Sequence, residues 1–147
     1  MDEVYQAHGI EFRYPSDWNL GEEQSENEIS ISVASPETSF WSLALFFDGP
    51  RPEDLIESAL DAFRGEYDEF DIYPTEAEWC RQTSVACEFE FVCFELLNSA
   101  FLWAFRTEKF SALVLYQGTD HELVETKEIL QEISASLQWE GGESLST

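Results

Sequence analysis

Apolar residues at every second position recur along most of this chain, the rhythm of strands that bury one face. Ile10, Phe12 and Tyr14 alternate with Glu11 and Arg13, and Ile29, Ile31 and Val33 alternate with Ser30 and Ser32. In a longer segment, 83–95, Val85, Cys87, Phe89, Phe91 and Cys93 share one face while Glu88 and Glu90 share the other. Phe101, Trp103 and Phe105 fall together within 100–106, and Leu113 and Leu115 within 110–117. The run Phe40 to Phe47 is apolar on both faces and reads as a central strand. Phe70 to Trp79 contains Pro74, which cannot donate to a ladder and confines its strand to an edge. Short turns around Leu97-Asn98-Ser99 and Glu108-Lys109 join the later strands into an antiparallel meander. An acidic stretch, Gly21 to Asn27, reads as a connection, and His8 as part of a flexible lead-in.

Two segments carry the helical period instead. Pro52 suits a first helical position, where its missing N–H costs nothing, and Glu53 and Asp54 complement the positive end of the helix dipole. Leu55, Ile56, Ala59, Leu60, Phe63 and Tyr67 then recur at three- and four-residue spacing. Thr119-Asp120-His121-Glu122 is a capping box, opening a helix that turns Leu123, Ile129, Leu130, Ile133 and Leu137 inward. The expectation is an α+β fold: an antiparallel sheet of about six strands with two main helices packed on it. Residues 1–140 form one domain, and 141–147 a flexible acidic tail.

Composition narrows the partners. Thirty-one acidic residues against seven basic ones give a net charge of −24 in 147 residues. Such a chain repels nucleic-acid phosphates and anionic membranes, both of which recruit Lys and Arg. What remains is solubility, a cation or a basic protein partner. A hydrophobic fraction of 44% with 15% aromatics excludes general disorder. The cysteines, Cys80, Cys87 and Cys93, show no CxxC and sit in apolar, strand-like surroundings, so they read as reduced thiols of a cytoplasmic protein. No apolar run approaches the ~20 residues that cross a bilayer. There is no catalytic motif, no metal-ligand spacing and no phosphate loop, and no cofactor is expected.

Phe12-Arg13-Tyr14-Pro15-Ser16-Asp17-Trp18, the aromatic strand Phe101-Leu102-Trp103-Ala104-Phe105-Arg106, and Ser136-Leu137-Gln138-Trp139 stand in an order that resembles the PsbP/Mog-like superfamily over residues 8–139. The resemblance implies an antiparallel sheet between helices, an α/β/α sandwich. It also implies an adaptor's role: members include a photosystem II extrinsic subunit, a Ran-binding import factor and chaperones of type VI secretion effectors. The shared residues are packing and turn residues, and none of them is catalytic.

Candidate sites follow from faces. Ser30, Ser32, Ser42, Ala44, Ala86, Ala100, Ala104 and Ala112 are small residues assigned to the sheet face opposite the aromatic core. Either one of the chain's own helices packs there, or the face is a groove for a partner, with Phe46, Val92, Phe94 and Tyr116 as anchors. Glu88 and Glu90 point the same way; such a pair can do acid/base work or hold a cation, but flanking an apolar strand in so acidic a chain they read as a solvated edge. His8 and His121 lack a nucleophile beside them, and Cys80 precedes Arg81, which can lower a thiol pKa. The expected function is a non-enzymatic protein-binding module, an adaptor or chaperone for a hydrophobic or basic segment. The alternative is a small-ligand or cation-binding domain with a pocket between sheet and helix.

Overall fold

The structure, a computed structural model, describes residues 1–67, 70–75 and 84–139. Strands run in the order β1 (Glu3–Ala7), β2 (Ile10–Tyr14), β3 (Asn19–Gln24), β4 (Glu28–Ala34) and β5 (Phe40–Phe46), followed by helix α1 (Pro52–Glu66). Then come β6 (Phe70–Thr75), β7 (Ser84–Cys93), β8 (Leu96–Arg106), β9 (Ser111–Thr119), helix α2 (Asp120–Ser136) and β10 (Gln138–Trp139). A seven-stranded sheet has the order β3-β4-β5-β9-β8-β7-β6, and β1, β2 and β10 form a second sheet of three. Every pairing is antiparallel.

The connections dictate the layers. Strand β5 is central and β6 lies at the far edge, so α1 must cross β9, β8 and β7 between them. Its Leu55, Ile56 and Leu60 bury against Phe89, Phe91 and Leu102, while Phe63 meets Phe89 edge-on at 4.6 Å. On the opposite face α2 packs over β5, β8 and β9 and against β2. Leu130 and Ile133 join Ile31, Leu43, Trp103 and Phe12 in the larger core, and the Phe12 and Trp41 rings lie 4.7 Å apart. The α/β/α arrangement therefore holds, with the small sheet sharing the α2 layer.

Three local expectations change. Residues before Ile10 form β1, and His8 (φ 57°) with Gly9 (φ 80°) makes the two-residue turn of a hairpin. The acidic stretch Gly21–Asn27 begins inside β3, an edge strand exposed at every position, so no apolar alternation marked it. The β7–β8 turn is Phe94–Glu95, and Leu97-Asn98-Ser99 belongs to β8. The tail 141–147, Trp79, Cys80 and Arg81 lie outside the described residues.

A candidate binding cleft beside helix α2

Because Cys87, Phe89 and Phe91 of β7 point into the α1 core, Glu88, Glu90 and Val92 project on the α2 side of the sheet. Phe101 of β8 and Tyr116 of β9 are register partners on that side, their rings stacked with centroids 5.1 Å apart. Helix α2 begins at Asp120, whose Oδ1 accepts the Ser99 hydroxyl at 2.6 Å. Since α2 rests on β5, β8 and β9, the described residues leave the sheet beyond it open toward β7 and β6. A cleft of about 370 Å³ results. Tyr73, Glu88 and Glu90 line one side, Leu123, Val124 and Lys127 of α2 the other, with Phe101, Tyr116 and Asp120 completing it.

Its electrostatics are one-sided. Among the described residues, three carboxylates, Glu88, Glu90 and Asp120, face one ammonium, Lys127. The Tyr73 hydroxyl donates to Glu90, and the retained proton puts its pKa above the usual phenol value. Burial pushes the Tyr116 pKa up to about 12, the Glu88 charge adds to this, and a hydrogen bond with Gln131 opposes it. Both phenols are thus neutral donors across the physiological range. The floor is apolar and the rim negative, so the cleft suits a group with an apolar stem and a positive head. Among the described residues, no group of three or more His, Cys, Asp or Glu is placed to hold a metal ion.

Of the sequence candidates, the structure brings Glu88, Glu90 and Tyr116 together in this cleft. Val92 follows on the same side of β7, and Phe94 sits at the hairpin tip, 93% exposed. Phe46 is a correction: it lies on the other side of the sheet, packed against the α1 core. The eight small residues do not share a face either. Ala86 and Ala112 belong to the aromatic core on the α2 side, whereas Ala100 and Ala104 lie under α1. The chain's own helix covers that part of the face.

Among the described residues, histidine and cysteine carry no site. His121 is exposed on α2, and His8 Nε2 lies 2.8 Å from Glu22 Oε1, which also accepts the Tyr5 hydroxyl at 2.6 Å. Cys87 is buried, and that burial, with the Glu88 charge, pushes its thiol pKa up. Trp41 is fully buried in the α2-side core, and Phe40 is half-buried on the α1 side, so neither forms an exposed patch. Sequence reasoning missed Tyr73, Asp120, Val124 and Lys127. One signal was present: Val124 is an apolar residue off the inward stripe of α2, and it is 86% exposed.

No protein-family model matches the chain, and no curated protein matches its sequence. Solved structures do resemble it. A protein from Bacteroides thetaiotaomicron superimposes with a TM-score of 0.56 at 17% identity over 89% of this chain, which spans 45% of that one. LpqN, involved in cell envelope biogenesis of Mycobacterium tuberculosis, gives 0.51 at 12% identity over 88% of this chain and 82% of its own. Cyanobacterial PsbP from Synechocystis gives 0.56 at 14% identity over 93% of this chain and 91% of its own. At these identities the likeness concerns the fold, and the chain has a PsbP-like fold.

Proposed function

We propose that this chain is a non-enzymatic protein-binding module whose cleft beside α2 takes a partner segment bearing apolar and basic side chains. The observation that carries the reading is the combination of a sealed aromatic floor, Phe101 on Tyr116, with carboxylates at the rim. A lysine or arginine stem can cover the floor while its head meets Glu88 or Asp120. The net charge of −24 favours the same class of partner, because it accelerates the approach of a basic segment.

The second reading is a cationic small molecule, since a cleft of about 370 Å³ falls within the size range of organic-ligand sites. Calorimetric titration separates the two. The module reading expects an arginine- and leucine-containing peptide to bind, with affinity that falls as salt rises and is lost in Glu88→Gln/Glu90→Gln. Saturable binding of spermidine, with none of the peptide, favours the small molecule. An acidic peptide binding as well as the basic one would defeat both.

A further inference from the structure

Beyond the cleft, the α2 side of β7 continues from Glu88 and Glu90 to Val92, whose register partner on β8 is Leu97. The strand then ends in the turn Phe94–Glu95, with Phe94 93% and Leu97 44% exposed. Such large apolar groups gathered at one tip mark a contact surface more than a solvated loop. The turn is also unusual in kind. Both of its residues have positive φ, 52° and 64°, in a two-residue hairpin that ordinarily selects Asn-Gly. Phe94 is therefore held out at a conformational cost. From Glu88 to Val92 is four residues along a strand, about 13 Å.

We propose that the cleft and the β7–β8 tip form one bipartite track for a partner segment: a basic residue over Glu88 and Glu90, and a large apolar residue against Val92, Phe94 and Leu97 about 13 Å farther on. This rests on the module reading and adds the motif that the module recognises. Charge complementarity fixes the basic end, and continuity along one strand face fixes where the apolar end lies. The chain itself supplies seven basic residues against 31 acidic ones, so a second copy is a poor source of the basic end.

The test uses the heptapeptide Arg-Arg-Ser-Gly-Ser-Phe-Leu and its two halves, titrated into isotopically labelled protein with amide shifts followed by NMR. The whole peptide should bind about tenfold or more tighter than the arginine half, the gain expected from tethering two weak contacts. It should perturb the cleft amides and those of Val92 to Leu97 together. The double variant Phe94→Asn/Glu95→Gly should reduce the whole peptide to the affinity of the arginine half. If the two bind equally and the tip amides stay still, the bipartite track is wrong while the cleft reading survives. If the cleft amides do not move, both fall. If the unliganded protein instead dimerises in sedimentation and the double variant makes it monomeric, a second copy covers the tip and the track is wrong.

Discussion

The carboxylate of Glu122, in the first turn of α2, accepts the backbone N–H of Thr38 at 2.8 Å, joining residues 84 apart in sequence. It also accepts the hydroxyls of Ser35, at 2.8 Å, and of Thr38. The capping box is thereby split between two partners. Thr119 Oγ1 accepts Glu122 N–H as expected, but the Thr119 N–H turns to Thr38 Oγ1 at 3.3 Å. The carboxylate freed from its local role clamps the β4–β5 turn. Glu122→Ala leaves the buried Ser35 hydroxyl and the part-buried Thr38 donors without their acceptor and should cost about 1–3 kcal/mol in urea unfolding, with Glu122→Gln losing less. A loss below about 0.5 kcal/mol would show the clamp to be ornamental.

The same group sets an acid limit. Burial alone would raise the Glu122 pKa, but the bonds from Thr38, Ser35 and the Thr38 backbone outweigh it and hold the pKa below its ordinary 4.5. A lowered folded-state pKa means that the unfolded chain binds the proton first. The stabilisation is therefore complete above 4.5 and lost as pH falls through the folded-state value. Between neutral pH and pH 3, wild-type stability should fall more steeply than that of Glu122→Gln. Parallel curves would remove Glu122 from the acid transition.

Trp41 places its indole N–H on Ser134 Oγ at 2.9 Å, where both residues are fully buried. Ser134→Ala strands that donor in the core and should destabilise by about 1–2 kcal/mol, although its side chain shrinks by one atom. Ser134→Cys, which keeps an acceptor of sorts, should recover part of it. Denaturant midpoints decide between the two.

What the residues disclosed depended on whether burial wrote a period into them. Leu55, Ile56 and Leu60 pack against one layer and Leu130 and Ile133 against another, so both helices were legible from spacing. Strand β3 was not, because an edge exposed on both sides needs no alternation. The turn Phe94–Glu95 was invisible because neither residue favours positive φ, while Asn98 and Ser99 nearby imitated a turn. For the cleft, alternation put Glu88 and Glu90 on one side. That Tyr73 stands opposite Glu88 depends on register, and that α2 stops short of β7 depends on how the layers stack. Neither relation is local.

Two glycines should respond in opposite directions to alanine. At Gly118 a Cβ would meet Ser39 Oγ at 2.5 Å and Ser39 Cα at 3.3 Å, beneath the turn that Glu122 clamps. Gly118→Ala should cost about 1–3 kcal/mol, as overpacking does. At Gly65, in the last turn of α1, a Cβ would meet nothing within 4 Å. Gly65→Ala should add about 0.5 kcal/mol through helix propensity and a less flexible unfolded chain. Thermal unfolding of the pair checks both signs, and a neutral Gly118→Ala would mean that the turn can move aside.

The β7–β8 tip should show stability and recognition pulling apart. Left-handed backbone costs a residue with a side chain about 1–2 kcal/mol, and Phe94 and Glu95 both carry it, at φ 52° and 64°. Phe94→Asn/Glu95→Gly installs residues that adopt those angles readily and removes a ring that is 93% exposed and adds little packing. The double variant should gain about 1 kcal/mol or more in urea unfolding. A surface that served stability alone would have no use for the wild-type pair. If the variant gains stability and the heptapeptide binds it no better than its arginine half does, the strain is tied to the contact that Phe94 makes. If it gains stability and binds unchanged, the exposed ring has no part in recognition, and the cleft alone must account for the partner.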